Sequence, residues 1–331
     1  MLEWLVGPEA YCDFATVQGA VEAAERVPGE EPVRISILSG VYRETVRIYR
    51  SRLRLIGIGP VEITMDRCAK DLDERGREIG TFATPTLFLG GSELILENLT
   101  VSNTAGQGDD VGQALAVYAH CDKTLFLNCT FKGHQDTLCT GPLPPAQKNG
   151  EPFGGIPLRN RRALCRQLYR QCRIEGTVDF IFGGAAALFE RCEIRSLSHA
   201  KAGRPGYITA ASTPEGQRHG FVFRDCWLTA APGVPEASVY LGRPWRKHAR
   251  TVFVNCRTGG HIHPQGWDNW GDPANEPTVY YGEFGVNDAE RLRKQRVSWA
   301  VCSGEDEAVG SNDDLARFFE EMTAIDRSLL L

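Results

Sequence analysis

A short strand-like unit recurs through the middle of this chain, and the recurrence narrows the folds open to it. The unit reads Asn98-Leu99-Thr100-Val101, Asn128-Cys129-Thr130-Phe131, Gln171-Cys172-Arg173-Ile174, Arg191-Cys192-Glu193-Ile194, Asp225-Cys226-Trp227-Leu228 and Asn255-Cys256. Its separations run from 20 to 43 residues, so a fixed strand core alternates with loops of variable length. Other short strands are predicted at 33–38, 46–48, 53–58, 61–64, 87–89 and 94–101, with Gly or Asn at many of the breaks. Short strands at repeat spacing with no helices between them predict an all-β chain coiled as a parallel β-helix. Length alone favours about two domains. A solenoid overrides that prior, and all 331 residues are expected in one domain.

Both ends need covering. Asp13 or Thr16 is predicted to cap a helix within 13–27, with Phe14, Val17, Val21 and Ala24 on one face, which would shield the first coil from edge pairing. A C-terminal tail at 303–331 carries a second predicted helix, from 313 to 328. Its stripe of Leu315, Phe318, Phe319 and Met322 is expected to lie along the outside of the solenoid.

The eleven cysteines include no Cys-x-x-Cys pair, and five of them occupy the same place in the repeated unit. Reduced thiols packed inward fit this better than a disulfide framework or a zinc site. With no leader-like N-terminal segment, the expectation is a cytoplasmic protein, the alternative being a secreted mature form whose signal has been removed. A net charge of -5 argues against nucleic acid as a partner, and no apolar run approaches the roughly 18 residues of a membrane helix.

Two Gly-bounded segments carry the chemistry. Gly133-His134-Gln135-Asp136-Thr137-Leu138 and Gly176-Thr177-Val178-Asp179-Phe180-Ile181-Phe182-Gly183 each set one acid among apolar or amide neighbours. Asp179 falls in a run that otherwise reads as a buried strand, where a charge is costly without partners. Two carboxylates with the Gln135 amide suit acyl transfer. Either Asp alone fits a structural ion pair equally well.

These two segments and Tyr240-Leu241-Gly242-Arg243-Pro244-Trp245 resemble, in order, the three signature segments of the pectin methylesterases, the family 8 carbohydrate esterases. Shorter matches include 98–106, 112–116, 208–210, 267–271 and 280–283, and the likeness spans roughly residues 3 to 302. The resemblance implies a right-handed parallel β-helix that hydrolyses the C6 methyl ester of galacturonosyl units in pectin or methylated oligogalacturonides. Methanol would be released without metal or cofactor. It makes Asp179 the nucleophile, Asp136 the general acid and then base, and Gln113 and Gln135 the oxyanion hole. Arg243 would fork onto Asp179 and favour its charged form. Trp245 and Phe182 would offer flat faces to sugar rings, with His134 a further substrate contact where an aromatic more often precedes the Gln.

The chain departs from the family pattern in two places. Cys139 stands where the first motif usually has an aromatic residue. Asp136 and Asp179 are 43 positions apart, about twice the spacing of typical plant members. The added residues include Gly141-Pro142-Leu143-Pro144-Pro145 and Gly154-Gly155-Ile156-Pro157, a loop predicted to rim one end of a groove. A basic cluster follows, Arg159, Arg161, Arg162, Arg166, Arg170 and Arg173, whose ordinary reading is local ion pairing and whose bolder one is attraction of a polyanion. His261 and His263 lack an evident third ligand, so no metal requirement is expected. Two rival readings keep the fold: cleavage of the glycosidic bond of polygalacturonate, for which Gly108-Asp109-Asp110 is too slight a signature, and an inactive carbohydrate-binding relative.

Overall fold

The computed structural model describes residues 1–29, 31–304 and 313–330. Of the expected C-terminal tail, 305–312 and 331 lie outside the described residues, as does Glu30. Coils stack in parallel register, as where Thr130–Lys132 pairs with Thr100–Asn103 below and Arg173–Gly176 above. Among the described residues one sheet has 17 strands and a second has seven. The larger sheet forms two faces, because the long strand Leu53–Met65 pairs with Ser92–Glu97 along one part of its length and with Thr100–Asn103 along another. This is the parallel β-helix the repeat predicts.

The repeated unit marks the corner between those two faces. Asn98, Asn128, Gln171, Arg191, Asp225 and Asn255 all have φ between 51° and 56°. A left-handed residue turns the chain, and short polar side chains such as Asn and Asp tolerate it best. The cysteine that follows points inward: the thiols of Cys172 and Cys192 donate to the carbonyls of Phe126 and Tyr169, each at 3.4 Å. Beside this thiol column runs an aromatic one, Phe126, Tyr169, Phe189, Phe223 and Phe253, with successive rings 4.4–4.5 Å apart. Each fully buried ring is worth about 1.5–3 kcal/mol, against about 1 kcal/mol net for an ordinary hydrogen bond. The aromatic column therefore outweighs the thiol bonds in holding coil to coil.

The first helix spans Val17–Arg26, with Val17, Ala20, Val21 and Ala24 buried. It begins later than its apolar spacing predicts. Thr16 Oγ1 accepts from Gly19 N–H at 3.1 Å, and the Glu44 carboxylate accepts from Val17 and Gln18 N–H. These acceptors satisfy the exposed donors of a helix starting at residue 17. Phe14 instead bridges to Val6 and meets Trp4 edge-on at 5.3 Å. The last helix, Asp313–Leu330, buries Leu315, Phe318, Phe319 and Met322 against an outer face that includes Leu125, Leu168 and Leu188, as its stripe predicts. Among the described residues no helix is long and apolar enough to cross a membrane.

The seven-stranded sheet carries the functional surface. Phe88, Tyr118, Cys139, Phe182, Ala210 and Arg243 stand in register on successive strands. Their neighbours Leu87, Val117, Leu138 and Ile181 belong to the interior core, so alternation turns the first row outward. Gly183 closes the strand Ile181–Gly183 at φ 119°, and a Cβ there would overlap the Thr140 carbonyl oxygen of the neighbouring coil. Gly183→Ala is expected to cost about 2–5 kcal/mol through strain and overpacking together. A denaturant midpoint unchanged from wild type would refute this account.

Candidate active site

Asp136 and Asp179 occupy equivalent places on adjacent coils. Each lies two residues before a strand of the seven-stranded sheet, Leu138–Thr140 and Ile181–Gly183, and those strands pair Leu138 with Ile181. Neither acid is in a strand, contrary to the sequence reading of Asp179: φ is 65° at Asp136 and 49° at Asp179. Left-handed backbone at a non-glycine residue is uncommon and needs support from its surroundings. Here Asp136 N–H donates to Val178 C=O at 3.0 Å, Thr177 N–H to His134 C=O at 2.9 Å, and Thr137 Oγ1 to Glu175 C=O at 2.9 Å. The two turns are thus tied to each other, and both carboxylates reach one cleft.

Arg243, on the strand Val239–Pro244, forks onto Asp179 with Nε to Oδ1 at 2.9 Å and Nη2 to Oδ2 at 2.7 Å. Its guanidinium is held between the rings of Tyr207 and Trp270, 3.8 Å from each centroid. Two parallel charge-assisted bonds and two ring faces fix the cation, and through it the Asp179 side chain. Burial pushes both acids above the ordinary carboxylate range, but unequally. Asp136 is driven well above it by burial and then by the neighbouring Asp179 charge, with only a distant opposing effect of Arg243. At Asp179 burial is opposed by direct hydrogen bonds from the guanidinium. Asp179 therefore ionises first and Asp136 holds the proton.

Gln113 and Gln135 line the same cleft. Their carbonyls are used by the backbone, Gln113 C=O accepting from Ala69 N–H at 2.8 Å and Gln135 C=O from Ala114 N–H at 3.2 Å. These bonds hold the main chain of both cleft-lining residues in place. Phe182 and Trp245 also line it, with ring centroids 5.5 Å apart and nearly perpendicular.

His134 is placed elsewhere. Its backbone carbonyl ties the turn, while its ring, kept neutral by burial, feels the Glu175 charge and is not among the cleft-lining side chains. Four of the six arginines of the basic cluster follow its ordinary reading: Arg159 pairs with Glu25, Arg166 with Asp122, Arg170 with Glu190 and Asp326, and Arg173 with Glu175. The sequence reading missed Tyr207 and Trp270. Trp270 sits in the 267–271 segment, where Trp267 is 1% exposed in the core while Trp270, at φ 62°, turns out to the cleft. The three-residue offset and the Asn-Trp-Gly turn are the only sequence signals of that reversal.

A sequence model of the pectinesterase family matches residues 3–142 and 162–318. The chain belongs to this family. This pectinesterase-family chain is 34% identical over 307 residues to a pectinesterase/pectinesterase inhibitor of Arabidopsis thaliana, a match covering 87% of the chain and 46% of that relative. The chain spans about half the length of curated relatives that it matches. Among solved structures, pectin methylesterase from carrot superposes with a TM-score of 0.77 at 28% identity, over 97% of this chain and 95% of that one. A pectin methylesterase in complex with a hexasaccharide gives 0.71 at 26% identity, over 89% and 92%. The loop between Asp136 and Asp179 includes 143–161, which the pectinesterase match leaves out.

Proposed function

We propose that the protein hydrolyses methyl esters of galacturonosyl residues. The observation that carries this reading is the unequal pair of acids: Asp179 forked by Arg243, and Asp136 on the next coil kept protonated. Ester hydrolysis by a carboxylate nucleophile needs that combination, because methoxide is a poor leaving group and a protonated acid must stand beside the nucleophile. Asp179 attacks the ester carbonyl carbon, and the Gln113 and Gln135 carboxamides donate to the oxyanion without competing for the nucleophile as cations would. Asp136 gives its proton to the departing methoxide, which leaves as methanol. An anhydride remains between Asp179 and the sugar carboxyl. Asp136, now a carboxylate, takes a proton from water as the water oxygen attacks, which returns Asp179 as carboxylate, Asp136 as acid and the sugar as galacturonic acid, whose carboxyl proton passes to solvent as galacturonate leaves.

All eleven cysteines are free thiols, which supports action in a compartment that keeps thiols reduced. The test of the chemistry is methanol release from a methyl-esterified galacturonan. Gln113→Ala is expected to lower kcat about 10²–10³-fold with little change in KM, the signature of a donor used only in the transition state. New reducing ends or unsaturated sugars without methanol would overturn the esterase reading in favour of glycosidic cleavage.

A further inference from the structure

The outward row on the seven-stranded sheet is unevenly covered. At one end Phe182, Ala210 and Arg243 form the cleft floor beneath the reacting groups. At the other end Phe88, Tyr118 and Cys139 belong to the same apolar cluster, yet they are 0%, 1% and 0% exposed. Their cover is Ile156, with Leu143 and Phe82 packed against the cluster. Ile156 and Leu143 both come from 143–161, the stretch outside the pectinesterase match.

That stretch is fastened at several points. Ile156 N–H donates to Phe82 C=O at 3.0 Å, and Tyr49 OH to Pro157 C=O at 3.1 Å. The Arg159 guanidinium lies 3.6 Å from the Tyr49 ring centroid and pairs with Glu25 at 3.3 Å. On the far side Arg246 Nη2 donates to Ala146 C=O at 3.2 Å. Phe153 stands between these anchors, 5.1 Å from Phe82 and 5.9 Å from Trp245, and Lys148 reaches over Trp270 at 5.0 Å. The result is a continuous wall, Phe82–Phe153–Trp245, across the floor row where Cys139 gives way to Phe182.

The geometry points to 143–161 as a length-limiting element: the wall stops a bound chain just beyond the reacting unit, so the enzyme takes short methylated oligogalacturonides in preference to long pectin chains. This rests on the esterase reading above. The small Cys139 belongs to the same device, because it is roofed by the loop and leaves no sugar-binding surface on that side. The remaining cleft holds about 620 Å³, within the ~300–1,000 Å³ typical of sites that enclose a small ligand. A chain continuing past Phe182 toward Phe88 would have to displace Ile156 and break the Phe82 and Tyr49 anchors. A chain ending there meets the ring of Phe153.

The experiment compares kcat/KM per methyl ester on methyl-esterified trigalacturonate and on long, highly esterified pectin. Three proteins are used: wild type, a variant with 144–160 replaced by a short Gly-Ser linker, and Phe153→Ala as the milder change. Wild type is expected to favour the trimer by about 10-fold or more. The linker variant should shift the trimer-to-polymer ratio toward the polymer, with Phe153→Ala shifting it part of the way. Equal efficiency of wild type on both substrates overturns the length limit and leaves the esterase intact. So does a ratio unchanged in Phe153→Ala and in a folded linker variant. Absence of methanol from either substrate with wild type overturns the esterase reading, and the length limit with it.

Discussion

Asp179→Asn protein is expected to lose at least ~10³-fold in methanol release while keeping its fold. The amide has the shape of the carboxylate and none of its nucleophilicity, so the attack step has no reagent. The substitution also changes the balance of the site. Arg243 keeps its two ring contacts with Tyr207 and Trp270, but one of its two charge-assisted bonds to Asp179 faces an amide that cannot accept there. Removing one member of a buried ion pair costs up to about 3–5 kcal/mol. Asn retains one acceptor, so a loss of about 1–3 kcal/mol is the expected size. Activity and the denaturant midpoint should therefore fall together. A variant within ten-fold of wild-type turnover would remove Asp179 from the role of nucleophile.

How far the sequence carries depends on which physical rule governs each residue. The solenoid is legible because one corner is reused six times between Asn98 and Cys256: a residue at positive φ, then a small thiol in five of the six and Leu99 in the first, then a strand. The acids are legible as chemistry because a carboxylate among apolar neighbours demands an explanation. Their backbone is not, since Val178-Asp179-Phe180 has the composition of a strand and becomes a left-handed turn only through hydrogen bonds from the neighbouring coil. Tertiary pairing overrides local propensity at that point. The same holds for Tyr207 and Trp270, brought to Arg243 by stacking of coils that lie tens of residues apart in the chain. His134 shows the reverse failure: adjacency to Gln135 in sequence does not carry over to the site, for Gln135 lines the cleft and the buried His134 is not among its lining residues. The loop at 143–161 reads from composition as a rim, and its Phe153 and Ile156 give that rim the apolar face it turns to the floor row.

Asp136→Asn is expected to abolish the same reaction and yet raise stability at neutral pH. Loss of the proton donor should lower turnover about 10²–10⁴-fold, the usual worth of a placed general acid. The stability effect follows from proton counting. An Asp in the unfolded chain titrates near 3.9, whereas burial and the Asp179 charge hold Asp136 well above its ordinary value in the folded protein. Between those two values the folded state binds more protons than the unfolded one, so stability falls as pH rises through the window. Above it the penalty of a buried second charge is fully present. Asn carries no charge at any pH, and among the described residues the Asp136 carboxyl has no hydrogen-bond partner that the amide would forfeit. Wild type and variant should thus unfold alike in acid, with the variant's Tm increasingly the higher as pH rises through the window. The wild-type rate should follow a bell, its acid limb set by ionisation of Asp179 and its alkaline limb by loss of the Asp136 proton. Thermal unfolding across a pH series, beside the rate profile, tests both statements at once. A variant less stable than wild type at neutral pH would show that Asp136 is a structural residue. Opposite stability effects at two acids of equal catalytic importance would separate the one held charged by Arg243 from the one held neutral by its burial.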